Sequence, residues 1–511
     1  MKSGARTATA FVAITGLAVG LTVTRLPFRW NQIALAYASY FREYRRVIDL
    51  EGWTAAFTTF VGIHPPAYSL LFLTMMESSP RTWFLISGLF SVSAVALLFA
   101  TGRQADPRLR VAAAAGLLLA SSPHRLAYAL EPNNYPLLLL VTAGSMFAFA
   151  RWIRGRGGAG ALLYVTVLGL WTHALFVTVP VAQALAVARD PTRRRWAAGG
   201  LGVAFLLCSP LLPGVLDAAG GGMNDTPPLG DVGRALFVTL PARFGGPFPA
   251  WGVLALAVAG AFVRAPSEGA APTGWPAEGV LTRSWLLQIL LGGAVLALAL
   301  VRGTAATWQF PYYLLLLAPV FLLAARPLRG PPLVRGLAAV GIGAILVGNL
   351  TWTMAESRRA RSAWRGAHLT HALVDRAVQH WTPGSSLVAI HFPDYSDDDK
   401  DALDPAFAHI PMGLPISLTD PDVPTLVGAD PYWGQPVRYP GDRWLYTFTA
   451  VDPERLTVIA DAVGAQGAQL IVVVWNTDVA PEELTKLEQW ASGRGRTPER
   501  DRSQALWMFL R

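Results

Sequence analysis

This sequence is poor in charge and almost without cysteine. Only 15% of its 511 residues are charged and 53% are hydrophobic, with a mean hydropathy of +0.38. Soluble domains carry roughly a quarter charged residues. The shortfall excludes an ordinary soluble enzyme and indicates a polytopic membrane protein with some water-exposed mass. The single cysteine, Cys208, lies in an apolar run. It excludes a disulfide framework and a thiolate metal site. No phosphate-binding glycine loop, H-E-x-x-H or G-x-S-x-G is present. No internal repeat recurs at a fixed period.

What charge there is leans basic, with a net +9 and a pI near 9.9. In a membrane protein, arginine-rich cytoplasmic loops account for such a surplus, and no nucleic-acid partner is expected. Apolar runs predict about eleven transmembrane helices, at 8–25, 82–101, 110–122, 135–151, 159–172, 174–188, 197–216, 250–264, 283–301, 308–325 and 333–353. Several fall short of the roughly 20 residues of a perpendicular span. The basic, then apolar start, Met1 to Leu26, resembles a signal peptide but shows no small-residue cleavage site, so it reads as a retained first helix. The segment 65–77, bounded by Pro66 and Pro80, is too short to span and reads as an interfacial helix.

With the N-terminus in the cytoplasm, the arginines at 103–110, 151–156, 193–195 and 326–335 all fall on the inner side. The 265–279 stretch, rich in Gly and Pro, reads as a cytoplasmic loop. Counting 65–77 as a span would invert that pattern. Eleven spans leave the region from about Glu356 outside the cytoplasm, in the manner of a multi-pass inner-membrane protein. There the apolar runs shorten. Ser386–His391, Gln469–Trp475 and Ala505–Leu510 read as strands; Ala367–Trp381, Pro453–Val463 and Pro481–Ala491 read as helices. Alternating strands and helices predict a soluble α/β domain. The expected organisation is a membrane domain over 1–355, with external loop 27–63 and interfacial helix 65–77, followed by an extracytoplasmic α/β domain over 356–511.

The candidate chemistry gathers on the predicted external face, where ionisable groups beside spans are costly and hence functional candidates. His64 precedes Pro65-Pro66, a pair that can start a helix but not sit inside one. Glu131 stands in Leu130-Glu131-Pro132-Asn133-Asn134-Tyr135, and His173 in Trp171-Thr172-His173. Asp49 and Glu51 lie in the first loop, as do Arg42, Arg45 and Arg46 at i, i+3, i+4 spacing. Such arginines suit phosphate oxygens or anionic lipid headgroups. Plainer readings exist: Glu131 as a helix cap favoured by the dipole, His173 as a satisfied turn residue, His64 as a headgroup contact. Asp397-Asp398-Asp399 lacks the glycine and spacing of a calcium loop and reads as a solvated acidic loop.

The order of these motifs resembles the GT-C class of polytopic glycosyltransferases, specifically the family 39 type that depends on polyprenyl-phosphate sugars. The resemblance runs from about Leu21 to Ala188 and more faintly to Ala325. H-P-P-L-Y of that family matches His64 to Tyr68; E-a-R-x-Y-x-L-L matches Glu131 and Tyr135 through Leu139; a T-H pair matches Thr172 and His173. A later R-Y-l-l-x-l-x-P is echoed by Tyr313 to Pro319. Two departures concern chemistry. The W-x-D-E-A segment after the first span reads Trp30-Asn31-Gln32-Ile33-Ala34, with amides in place of both carboxylates, and an amide takes no proton near neutral pH. The arginines expected near Glu131 and Tyr313 are missing, Asn133 standing in the first position.

The resemblance implies transfer of one sugar from a polyprenyl-phosphate donor to a glycan, lipid or protein acceptor on the external face, with inversion. In that scheme Glu131 is the base, with Asp49 or Glu51 in place of the missing carboxylate. His64, Arg42 and Arg45 hold the donor phosphate. Asn31, Gln32, Tyr68, Asn134, Tyr135 and His173 position substrate. The acidic set is sparse for a divalent cation, and the metal question stays open. The lost acidic pair equally fits a GT-C-like protein that binds lipid-linked saccharide without turnover. A transporter of lipid-linked substrates predicts ionisable residues at span centres and related halves, and neither is evident.

Overall fold

The computed structural model describes residues 2–24, 52, 67–73, 80–106, 108–131, 133–213, 233, 237, 247–263, 277–301, 310–355, 386–390, 437–439, 443–448, 453–465, 470–474, 481–495, 499–500 and 506–510. The chain divides into two compact units: Met1–Arg29 with Val47–Arg358, and Trp30–Arg46 with Arg359–Arg511.

The described part of the first unit is helical. Its helices are α1 (Lys2–Val23), α2 (Ala67–Leu73), α3 (Pro80–Ala105), α4 (Leu109–Ser121), α5 (Pro123–Tyr128), α6 (Asn134–Ile153), α7 (Ala159–Thr172), α8 (Thr178–Ala186), α9 (Pro191–Cys208), α10 (Pro247–Phe262), α11 (Ala277–Val301), α12 (Leu314–Ala325) and α13 (Pro332–Ala355). Five segments are long and apolar enough to cross a bilayer: Gly4–Val23, Phe84–Ala105, Asn134–Ile153, Ala277–Leu298 and Pro332–Ala355. The shorter helices gain length from tight 3-10 turns. Ala174–Val177 leads into α8, while Phe310–Tyr313 and Arg326–Arg329 extend α12 at both ends.

Burial follows a lipid solvent rather than water. Leu206, Phe262, Leu333 and Val340 are 72–80% exposed on outer faces, whereas Arg125, His124, Asn133 and His173 are buried. A soluble protein rarely leaves so much apolar surface bare. Helix α12, apolar all round, sits at the centre, packed by α4, α6, α10 and α11. Gly260 makes one such crossing possible: a Cβ there would strike the Leu323 carbonyl, and small residues let membrane helices approach this closely.

The arginine-rich helix ends meet on one side of the bundle. Arg154 donates to the Ala105 carbonyl at 2.7 Å, closing the end of α3, and Arg193 donates to the Ile153 carbonyl at 3.1 Å, closing α6. Arg326 donates to the Val263 carbonyl at 2.9 Å, just past α10, and pairs with Glu278 of α11 at 2.9 Å. Arg329 pairs with Asp106 at 2.8 Å and also with Glu278. Burial pushes the Arg326 guanidinium below its ordinary pKa, and Glu278 opposes that shift.

Several helix starts differ from the hydropathy reading, two of them with a clear local cause. α9, expected from 197, begins at Pro191, because Asp190 caps it by accepting from the N–H groups of Thr192 and Arg193 at 3.1 Å each. Its arginines therefore stand at the start of the helix, Arg193 turned to Ile153 and Asp190 and Arg194 and Arg195 exposed. The run 174–188, read as one helix, opens as a 3-10 turn and ends its helix at Ala186.

In the second unit, six strands form one sheet in the order β2-β3-β1-β4-β6-β5: β1 (Ser386–Ile390), β2 (Val437–Tyr439), β3 (Arg443–Phe448), β4 (Leu470–Val474), β5 (Glu499–Arg500) and β6 (Leu506–Leu510). β1 is central and parallel to both neighbours, with Ser386 opposite Trp444 and Leu470. The edge pairings β2–β3, β4–β6 and β5–β6 are antiparallel. Helices α14 (Pro453–Ala465) and α15 (Pro481–Gly493) pack together, with Trp490 donating its indole N–H to Thr457 Oγ1 at 3.1 Å. Strands expected around 386, 470 and 506 are present, as are both of these helices. β2, β3 and β5 are additional, and the expected helix Ala367–Trp381 lies outside the described residues.

Candidate active site

Opposite the laced arginine ends, the chain turns from α4 through α5 into α6, and this turn builds the site. Pro123 opens α5, and the Ser122 side chain caps it by accepting from the Arg125 N–H. After Tyr128 the chain folds back, with Glu131 N–H donating to the Tyr128 carbonyl at 3.2 Å and Asn133 N–H to the Glu131 carbonyl at 2.8 Å. Asn133 then caps α6: its Oδ1 accepts from Tyr135 N–H at 2.9 Å. The same side chain donates through Nδ2 to Glu131 Oε2 at 2.6 Å. The capping role considered for Glu131 thus belongs to Asn133, and the Glu131 carboxylate is held by that cap while only 6% exposed.

The next residue, Asn134, ties α6 to α7 by donating to the Thr172 carbonyl at 3.2 Å. His173 ends α7 and caps the 3-10 turn that follows, its Nδ1 accepting from Leu175 N–H at 3.2 Å. A neutral imidazole so bonded carries its proton on Nε2. The turn is this tight because Gly169 leaves space for Phe176, whose ring a Cβ at 169 would enter.

These turns assemble a buried aromatic wall. The Tyr135 ring centroid lies 6.4 Å from that of His173 and 6.2 Å from that of Tyr312, and His173 meets Tyr312 edge-on at 5.1 Å. The wall continues from Tyr135 to Tyr128 at 5.8 Å and from Tyr128 to His124 at 5.4 Å. Glu131 sits in the loop between two of these tyrosines. A buried carboxylate held in this way can act as a proton acceptor if a hydroxyl reaches it.

Tyr68, the last residue of the histidine–proline–proline segment, is buried, and its hydroxyl lies 3.0 Å from Ser87 Oγ of α3. Helix α2 packs on α6 and α7, the helices that carry Asn134, Tyr135 and Thr172. Glu131, Asn134, Tyr135 and His173 are brought together around one turn. Asn31, Gln32, Arg42, Arg45, Asp49, Glu51 and His64 lie outside the described residues.

Three groups here are not apparent from the sequence motifs. Tyr312 enters the wall from the turn ahead of α12, one residue before the Tyr313–Pro319 echo. His124 ends the wall from a six-residue helix. Arg125 is fully buried and donates to Thr22 Oγ1 at 3.2 Å, Ser91 Oγ at 2.9 Å and the Ala120 carbonyl at 2.8 Å, joining α1, α3 and α4 beneath the site. A polar pair, His124-Arg125, inside an otherwise apolar stretch was the available signal. Among the described residues, no group of three or more His, Cys, Asp or Glu side chains gathers to hold a metal ion.

No family model matches the chain, and no curated protein matches it. Among solved structures it is similar to ArnT from Cupriavidus metallidurans bound to undecaprenyl phosphate, with a TM-score of 0.56 and 14% identity over 98% of this chain and 97% of that one. It is likewise similar to ArnT of the same organism in the apo state, with a TM-score of 0.54 and 15% identity over 97% of this chain and 98% of that one. At such identity the likeness concerns the fold, and its coverage takes in both units. The chain is a polytopic α-helical membrane protein of GT-C-like fold that carries a C-terminal α/β domain.

Proposed function

We propose that this protein is a membrane glycosyltransferase that moves one sugar from a polyprenyl-phosphate donor to an acceptor on the extracytoplasmic face. The observation that carries the reading is Glu131, a buried carboxylate clamped by the helix cap Asn133 beside the wall of Tyr128, Tyr135, His173 and Tyr312. The likeness to a structure bound to undecaprenyl phosphate supports the donor class. The proposed orientation places the arginine-laced ends in the cytoplasm of an inner-membrane protein and this site opposite.

In the proposed reaction the acceptor hydroxyl gives its proton to Glu131 as its oxygen attacks the anomeric carbon. The bond from that carbon to the phosphate oxygen breaks, and the electron pair leaves with the polyprenyl phosphate. One displacement inverts the configuration. Asn133 fixes the carboxylate, Asn134 holds α6 to α7, and Tyr135 and His173 orient the sugar, with Tyr68 anchoring the neighbouring helix. His64, Arg42 and Arg45 are assigned to the departing phosphate, where positive charge is needed. Asp49 and Glu51 are assigned as supporting carboxylates, and Asn31 and Gln32 as hydrogen-bonding groups without base chemistry. No metal is assigned.

Purified protein incubated with a panel of radiolabelled polyprenyl-phosphate sugars is expected to release label to acceptor. Glu131→Gln is expected to lower transfer by about 10²–10⁴-fold, the usual scale of a lost general base. Transfer unchanged by Glu131→Gln removes the catalytic assignment. The amides at 31 and 32 favour a second reading, binding without turnover. Photo-crosslinking of the donor with no transfer from any of the panel would establish that one instead.

A further inference from the structure

On the arginine-laced side, remote from the Glu131 turn, α6, α7, α8 and α9 line an open-sided cavity of about 550 Å³. That is within the ~300–1,000 Å³ of ligand pockets. Along α9 its lining runs from Arg195 to Val203, and along α7 from Ala159 to Thr166. At 1.5 Å per residue these stretches cover about 10–12 Å, short of the ~15 Å depth of one leaflet of the hydrocarbon core. The cavity therefore starts at a basic helix end and stays within one leaflet.

Its walls are apolar in effect. The polar Gln183 in the wall is committed to Ser145, at 3.0 and 3.3 Å. Gly160, Gly199 and Gly200 line the space, and a Cβ at any of them would meet nothing within 4 Å. These glycines serve no close helix contact, unlike Gly169 and Gly260, although glycine within a helix costs about 1 kcal/mol relative to alanine. What they do is keep volume open. An open-sided apolar space offers ordered water few polar partners; it suits a hydrocarbon chain.

The mouth carries charge. Arg193 is engaged by Asp190 at 3.2 Å and by the Ile153 carbonyl, while Arg194 and Arg195 are exposed beside it. Trp196, 68% exposed, follows at the depth where interfacial tryptophans sit. In order along one helix stand two cations, an indole and a glycine-lined slot. We propose that this cavity binds an anionic phospholipid of the arginine-side leaflet, with its phosphate against Arg194 and Arg195 and one acyl chain in the slot. A polyprenyl chain is far longer than one leaflet is deep, and a zwitterionic lipid gains less from the paired cations because its own cation offsets the phosphate charge.

The test uses the full chain reconstituted in bilayers of equal phosphatidylglycerol and phosphatidylcholine, then released for native mass spectrometry. Wild type is expected to retain phosphatidylglycerol. Gly199→Leu/Gly200→Leu is expected to lose retained lipid, and Arg194→Gln/Arg195→Gln to lower the headgroup preference by about 25-fold, at roughly fivefold per arginine. Phosphatidylglycerol bearing a photoreactive acyl chain is expected to label the α7–α9 peptides of the wild-type protein, a measurement that needs no variant to fold. Equal retention of phosphatidylcholine, retention of polyprenyl phosphate in this slot, or labelling confined to other helices would overturn the assignment.

Discussion

Asn133 serves two structures with one side chain, its oxygen starting α6 and its nitrogen holding Glu131. The two tasks separate by substitution. Asn133→Ala loses both and is expected to lower stability by about 1 kcal/mol, the usual worth of such a cap, together with sugar transfer. Asn133→Asp keeps the cap but sets a second carboxylate against Glu131. Like charges raise one of the two pKa values, so more of the base is protonated at a given pH. The acid limb of the pH–rate profile is then expected to move upward, and the melting temperature to fall as pH rises through the raised pKa. Loss of transfer with no shift in the profile would refute the contact as the source. His173→Asn offers a parallel division: it can still accept from Leu175 N–H but removes the ring from the wall. Melting temperature is expected to hold and the KM for donor to rise; an unchanged KM would place the substrate elsewhere. Glu131 and His173 were legible as candidates because each is an ionisable group beside an apolar run, and Tyr135 because it falls in a motif of the resembled family. Tyr312 and the clamp by Asn133 were not, because they depend on how far-separated turns meet.

At the level of elements, the spans read from hydropathy correspond to helices, because a lipid-facing segment must satisfy its backbone internally. Their ends were less legible, since hydropathy stops at the first arginine while a helix stops where its caps are. Asp190 and Pro191 marked the true start of α9 in the sequence. The short strands β2 and β5 left too little alternation to recognise. The ends of α3, α11 and α12 are joined through Asp106, Glu278, Arg326 and Arg329. Asp106 and both arginines are buried, and breaking a buried pair from one side typically costs about 3–5 kcal/mol. Asp106→Asn is thus expected to lower the melting temperature of the detergent-solubilised protein markedly while leaving the Glu131 turn intact. A melting temperature within experimental error of wild type would show the pairing to be incidental.

For the whole molecule, the apolar outer faces and the one-sided arginines together predict a fixed orientation. Cys208 is the sole cysteine and is buried, so a Cys208→Ser background gives a clean test. In intact cells stripped of any outer barrier, a membrane-impermeant maleimide is expected to label Gln489→Cys on α15 but not Arg194→Cys on α9. The reverse pattern would invert the proposed topology and place the Glu131 turn in the cytoplasm. The fold class was accessible from composition because lipid and water demand opposite surfaces. The role of the first loop in chemistry was not, because spacing groups Arg42, Arg45 and Arg46 on one helical face but does not relate them to Asp49 or Glu51.

The arginines that close α3, α6 and α10 carry a consequence for how the protein is made. Each neutralises the negative end of a neighbouring helix dipole with its own positive charge. Under the proposed topology these residues also belong to the charge pattern that orients the nascent chain. The orienting signal is then consumed in the finished fold, becoming the latch between consecutive hairpins. Orientation and stability share the same residues, so a chain inserted the wrong way round would retain its caps and carry them to the wrong side. Deleting the arginines to reverse insertion would also release the hairpins they fasten.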